Sequence, residues 1–154
     1  NVYNKEILDL IKSIIDSDYK SMLKKTKIWS ENGKDFVLIT QKIINFIRAG
    51  ILYKKNIIDS TIDEESQNIY ECYSDSKLYE LIDDFSDLLT KLQNNFQKEL
   101  IFEVEVIKIS DKINNNVSRE TLLEKKENNS LQKNNDVPRE TYGFDKNIRI
   151  NVKK

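Results

Sequence analysis

Apolar side chains spaced three and four residues apart run through residues 1–110, and this spacing restricts the fold more than any other feature of the chain. The clearest stripe, in which steps of four and three alternate, consists of Leu78, Ile82, Phe85, Leu89, Leu92 and Phe96. Such steps place side chains on one face of an α-helix, and charged residues fill the positions between them. The pattern predicts a domain built from amphipathic helices.

The segment from Phe36 to Leu52 carries more apolar residues than one core-facing stripe requires. A helix that is apolar on more than one side must be covered on more than one side. This surplus indicates a helical assembly module and not a catalyst. The residues concerned are Phe36, Val37, Ile39, Ile43, Ile44, Phe46, Ile47, Ile51 and Leu52.

Residues with short polar side chains mark where the first predicted helices begin. Asn4 can cap a first helix, which ends near Ser17. Asp18 can cap a second helix and Asp35 a third. Gly33 lies where a residue in the left-handed conformation would close the second helix.

Residues 54–74 are rich in polar and acidic side chains, so we interpret them as a connection between helices. One short helical turn is expected within it, around Glu65 to Tyr70. A fourth helix then starts near Asp75 or Ser76, and Asn94-Asn95 weakens its end.

The segment from Phe96 to Ser110 is ambiguous, because residues 102–109 alternate well enough to form a β-strand. A lone strand in a helical domain would have no pairing partner for its backbone. We therefore predict a further helix here. Residues 1–110 are thus predicted to fold as a single all-α bundle of about five helices.

The residue types that support most enzyme sites are missing. Histidine is absent and Cys72 is the only cysteine, which excludes the commonest catalytic and zinc-binding arrangements within this chain. The three glycines are too scattered to form a phosphate-binding loop. The acidic runs at residues 63–65 and 83–87 are better explained as solvated faces than as cation sites. We predict that the chain is not an enzyme and binds no cofactor or metal.

Charge and composition change after Ser110. Residues 1–110 contain 15 basic and 19 acidic side chains, a net charge of −4, whereas residues 111–154 contain 10 and 7, a net charge of +3. The first part lacks the basic footprint of a nucleic-acid-binding protein. The second part has too few apolar residues to offset its ordering entropy, so we predict a disordered tail or linker over 111–154. A plain linker is favoured over weak contact with nucleic acid.

Three features bear on location. No apolar run approaches the roughly 20 residues that a membrane-spanning helix needs, and the first residues lack the layout of a signal peptide. A single cysteine suits a reducing compartment. We therefore expect a cytoplasmic protein that does not enter a membrane, and the start on Asn1 suggests a fragment of a longer chain.

The order of the predicted elements is similar to that of a known family. The chain opens with Ile7-Leu8-Asp9-Leu10-Ile11, turns at Asn32-Gly33-Lys34-Asp35, continues with a long apolar helix and closes with a helix from Leu100 to Ile109. This arrangement resembles the third, C-terminal collar domain of the bacterial DNA polymerase III gamma/tau subunit, the clamp-loader ATPase. The resemblance covers roughly residues 4–110. That family has an arginine-containing, often proline-bearing break before its closing helix, whereas this chain has Asn95-Phe96-Gln97-Lys98-Glu99.

The resemblance implies that the domain oligomerises, with several collar domains packed side by side to hold the ATPase modules of the clamp-loader ring. The implied partners are further copies of the chain and other clamp-loader subunits, and contacts with polymerase or helicase would use sequence beyond this chain. Nucleotide and zinc binding belong to earlier domains of that family. Aromatic and large aliphatic side chains would anchor the contacts. The candidate subunit-interface residues are Phe36, Ile43, Phe46, Ile47, Ile101 and Phe102.

A second interpretation is an independent helical adaptor or regulator whose groove accepts a partner helix. The reading frame upstream of Asn1 separates the two interpretations. A P-loop ATPase encoded there supports the clamp-loader collar, and a start codon immediately before Asn1 supports the adaptor.

A short repeat in the tail leads to a prediction about the coding DNA. Residues 116–121, Asn-Val-Ser-Arg-Glu-Thr, recur twenty positions later as Asp-Val-Pro-Arg-Glu-Thr. The two copies could be partner-binding peptides or a chance similarity of two polar segments. They could also follow from a DNA site, because Val-Ser-Arg-Glu-Thr can be encoded as GTTTCACGTGAAACA. This stretch contains a palindrome that resembles the centromere-like site of bacterial chromosome-partitioning proteins, which read two-fold sites as symmetric dimers. We expect sequencing of the gene to show this palindrome at residues 117–121, and the same stretch with TCA changed to CCA, as proline requires, at residues 137–141. Codons that break it would favour the peptide motif.

Overall fold

A computed structural model describes residues 2–57 and 62–115, and the first compact unit of the chain spans Asn1–Asn115. The described residues form six α-helices and no strand, which confirms the predicted all-α fold. The helices are α1 (Val2–Asp16), α2 (Tyr19–Glu31), α3 (Phe36–Lys54), α4 (Glu64–Glu71), α5 (Asp75–Gln93) and α6 (98–115).

The caps of α2 and α3 are those that the sequence predicts. Asp18 precedes α2 and its side chain accepts a hydrogen bond from the backbone N–H of Ser21 at 3.2 Å. Asp35 accepts one from the N–H of Val37 at 2.9 Å, at the start of α3. Gly33 has a φ of +67°, the left-handed conformation expected beyond the end of α2. Local chemistry therefore sets these boundaries.

Two other boundaries differ from the prediction. Helix α1 begins at Val2, so Asn4 lies within its first turn and the prediction of a cap at Asn4 is wrong. Helix α4 lies where one short helical turn is predicted, around Glu65 to Tyr70, but it is two turns long. Asp63 caps it, because its side chain accepts a hydrogen bond from the backbone N–H of Ser66 at 2.8 Å.

Helix α5 ends before Phe96, which corrects the predicted six-residue stripe. The side-chain amides of Asn94 and Asn95 donate to the carbonyl oxygens of Thr90 and Lys91, at 3.0 and 2.8 Å. The backbone N–H of Asn94 also donates to the carbonyl of Lys91 at 3.3 Å, so both the side chain and the backbone of Asn94 bond to carbonyls of the last helical turn. Phe96 follows in the connection to α6 and is fully exposed.

The predicted closing helix exists, and the alternative of a strand is wrong. Helix α6 buries four apolar side chains at steps of four, three and four: Phe102, Val106, Ile109 and Ile113. It continues to residue 115, past the predicted end of the domain at Ser110, because Ile113 still packs in the core. The predicted disordered tail and its repeat fall, from residue 116 onward, outside the described residues.

Helices α3 and α5 form an antiparallel pair at the centre of the domain. Lys54 and Lys55, at the end of α3, lie 3.7 and 2.6 Å from the carboxylate of Asp75, the first residue of α5. Helix α6 returns antiparallel to α5, and Lys91 and Glu105 form an ion pair at 2.9 Å between them. Helix α3 packs against α5, and the apolar residues of α3 that face the core are buried within the chain, whereas Leu38 is exposed.

An aromatic cluster joins α2, α3 and α6. The rings of Trp29 and Phe102 meet edge to face with 6.1 Å between centroids, and those of Phe36 and Phe102 are 5.1 Å apart. All three side chains are buried. Aromatic pairs of this geometry stabilise a core beyond the area that they bury.

Helix α3 is long and apolar enough to cross a membrane, by length and composition alone, with 19 residues and a mean hydropathy of 1.3. The core helix of a folded domain passes the same test. Here Ile39, Ile43 and Ile47 on this helix are buried in the domain core.

Candidate interaction surface

The six candidate interface residues are not the ones that the folded domain exposes. Four of them lie in the core of the chain itself, with at most 5% of their surface accessible: Phe36, Ile43, Ile47 and Phe102. The other two, Phe46 and Ile101, are partly buried and pack against that core. On the folded domain the first four therefore offer almost no surface to a neighbouring subunit, whereas contact through Phe46 and Ile101 stays a prediction.

Helix α4 covers apolar side chains of α3 that the core does not bury. From the sequence, α4 is expected only as one helical turn within a connection. The ring of Tyr70 on α4 lies 4.9 Å from that of Phe46 and 6.0 Å from that of Tyr53. Its hydroxyl donates a hydrogen bond to the carbonyl oxygen of Phe46 at 2.6 Å. A short helix thus covers a side of α3 that seemed to need a partner.

Helix α6 has two exposed apolar side chains. Leu100 is 55% exposed and Val104 is 43% exposed, one helical turn apart. Ile107, almost one turn further along, is partly buried. The three residues form a stripe on the side of α6 that does not face the core.

The neighbouring helix α2 extends this stripe. The Ser30 hydroxyl donates to the carboxylate of Glu99 at 2.8 Å, and the Tyr19 hydroxyl donates to that of Asp111 near the other end of both helices. These two bonds set α2 and α6 antiparallel, and their register places Leu23, which is 37% exposed, level with Ile107. We call Leu23, Leu100, Val104 and Ile107 the α2–α6 face.

Three lysines border the α2–α6 face. Lys20, Lys24 and Lys27 are exposed on α2 at steps of four and three, and we call them the basic ridge. No salt bridge within the described part of the chain includes any of the three. Lys25, by contrast, turns towards α1 and pairs with Asp9 at 3.7 Å. The basic ridge is thus oriented outward.

Helix α5 carries the opposite charge on its outer side. Tyr79, Asp83 and Asp87 are exposed there at steps of four, and we call them the acidic ridge. The whole of α5 has two lysines and five acidic residues, a net charge of −3, whereas α2 has four lysines and one glutamate, a net charge of +3. The domain therefore has oppositely charged helices on the two flanks of α6.

A groove of about 620 Å³ lies between α1 and α4, with Ile15, Ile69 and Cys72 along its apolar side. Lys12 and Glu65 at its rim form an ion pair, and the hydrogen bond from Lys12 lowers the pKa of the Glu65 carboxyl below its usual value. Lys12 and Glu65 thus already pair with each other, and Asp16 and Glu64 also line the groove.

Within the described residues, no three cysteine, aspartate or glutamate side chains are placed to hold one metal ion.

No protein-family model, curated protein or solved structure matches the chain.

Proposed function

We propose that this chain is the collar domain of a DNA polymerase III gamma/tau clamp-loader subunit, a cytoplasmic module that oligomerises and performs no catalysis. The observation that carries the proposal is the α2–α6 face. It combines exposed apolar residues on the closing helix, Leu100 and Val104, with Leu23 of a second helix. Contiguous apolar surface of this kind is typical of an interface between proteins.

The partners in this proposal are further copies of the chain and the other clamp-loader subunits. The order of the elements supports it, because the capped turn at Gly33 and the closing helix α6 occur where the resemblance requires them. The proposed interface includes the closing helix, one of the two helices that carry the candidate residues, but lies on the opposite side of that helix from Phe102.

Self-association tests the proposal. We expect the full chain at tens of micromolar to sediment as a species larger than a monomer, alone or with clamp-loader subunits. Replacing Leu100 and Val104 by serine should weaken this association at least about tenfold, because it removes apolar surface that the partner would cover. Thermal stability should change little, since both side chains are exposed.

Leu38→Ser is the control, because Leu38 is 45% exposed on α3 and is not part of the α2–α6 face. This variant should associate like the unmodified chain. A well-folded monomer, both alone and with clamp-loader subunits, would contradict the proposed function.

The second candidate function is that of a helical adaptor that binds a partner helix in the α1–α4 groove. The apolar side of this groove, Ile15 and Ile69, favours it. A start codon immediately before Asn1 in the gene would favour this candidate over the collar.

A further inference from the structure

We propose that copies of this chain associate head to tail, with the acidic ridge of one copy seated against the basic ridge and the α2–α6 face of the next. This inference rests on the proposed oligomerisation and specifies which surfaces meet. The partner is a second copy of this chain, because the chain itself carries both halves of the contact.

Charge complementarity is the first support. The basic ridge presents Lys20, Lys24 and Lys27 over two turns of helix, and the acidic ridge presents Asp83 and Asp87 one turn apart. Two helices packed side by side bring residues at such spacings into repeated opposition. Opposite charges in this arrangement favour the correct partner and its register.

The composition of the two ridges is the second support. Leu23 lies among the lysines and Tyr79 lies one turn from Asp83, so each ridge has an apolar anchor as well as charge. An exposed tyrosine that packs against Leu23, Leu100 or Val104 would bury apolar surface while its hydroxyl stays in water.

The positions of the ridges restrict the symmetry. Helix α6 separates them, because it pairs with α5 through Lys91 and Glu105 and with α2 through Ser30 and Glu99. A two-fold axis through either ridge would set that ridge against itself, lysine facing lysine or aspartate facing aspartate. A two-fold axis along α6 would pair the ridges but end the assembly at two copies, so the size of the assembly distinguishes it from head-to-tail contact. Head-to-tail contact avoids the repulsion between like charges. It leaves one free ridge at each end, so the assembly either closes into a ring or continues to grow.

Nucleic acid is the other class of partner that a basic ridge can attract. Three observations favour a protein partner: the ridge adjoins exposed apolar residues, residues 1–110 have a net charge of −4, and the same chain supplies the complementary acidic helix. Backbone contact with DNA needs a wider positive surface.

Charge reversal of the full chain tests the proposal. One variant combines Lys20→Glu with Lys24→Glu, and the other combines Asp83→Lys with Asp87→Lys. Each variant alone should associate at least about tenfold more weakly than the unmodified chain, because like charges then face each other. An equimolar mixture should regain the association, since the acidic α2 of one variant then meets the basic α5 of the other. Arg48→Glu, an exposed reversal on α3, should have no effect.

Sedimentation and circular dichroism give the readouts, at low and at high salt. The expected result is a folded monomer for each variant, recovery in the mixture, and weaker association of the unmodified chain as salt rises. The head-to-tail contact is wrong, while the proposed oligomerisation stands, if the unmodified chain associates and the reversals do not weaken it, if the mixture does not recover, or if the unmodified chain forms no species larger than a dimer.

Failure of the unmodified chain to associate, with or without clamp-loader subunits, would overturn both proposals. Loss of binding to a DNA duplex in the lysine variant, with self-association unchanged, would assign the basic ridge to nucleic acid and overturn the contact proposed between copies.

Discussion

Replacing Phe102 by alanine is expected to lower the free energy of unfolding by about 3–5 kcal/mol, the range for deletion of a large buried aromatic side chain. Phe102 has no exposed surface, and its ring contacts both Trp29 and Phe36. The loss combines hydrophobic transfer with the cavity that remains between these rings. Such a cost is a large fraction of the stability of a domain this size.

Denaturant titration measures this cost directly. Trp29 is the only tryptophan and is buried against Phe102, so its fluorescence reports unfolding of the core, and circular dichroism follows the helices independently. Phe96→Ala is the matched control: the same substitution at a fully exposed position should change stability by less than about 0.5 kcal/mol. A Phe102→Ala protein as stable as this control would show that Phe102 lies outside the core, as an interface residue would.

The contrast between these two phenylalanines shows how far the sequence predicts the fold. Helix type and most boundaries follow from local chemistry, because Asp18 and Asp35 cap their helices with their own side chains and Gly33 supplies the left-handed residue. Phe96 fits the spacing of the α5 stripe equally well. In the structure, hydrogen bonds from the side chains of Asn94 and Asn95 accompany the end of helix α5 before Phe96. From the sequence alone, asparagine is compatible both with a helix that continues and with one that ends.

The exposed apolar surface was harder to predict than the fold, because burial depends on which helices meet. An apolar side of α3 appears unpartnered until Tyr70, on a short helix in a polar connection, is seen to cover it. Leu100 and Val104 are ordinary members of an amphipathic pattern in the sequence. Only the position of α6 between α2 and α5 shows that these two side chains face outward.

Gly50 is the sequence feature that could have predicted the contact between α3 and Tyr70, since a glycine inside an apolar helix often marks a place where another group packs close to the backbone. A Cβ atom added at Gly50 would overlap ring carbons of Tyr70 and lie 3.0 Å from its Cγ. The ring cannot move aside easily, because Tyr70 is buried, its hydroxyl bonds to the carbonyl of Phe46, and Tyr53 lies on another side.

Gly50→Ala is therefore expected to destabilise the domain by about 1–3 kcal/mol through overpacking, even though alanine in a helix is favoured over glycine by about 1 kcal/mol. The same substitution in a Tyr70→Ala background should instead stabilise it by up to about 1 kcal/mol, because the ring is gone and the helix preference remains. Denaturant unfolding of the four proteins in this double-mutant cycle measures the coupling. If Gly50→Ala stabilises the domain while Tyr70 is present, α4 does not pack on α3 as described, and the second side of α3 becomes available again to a neighbouring subunit.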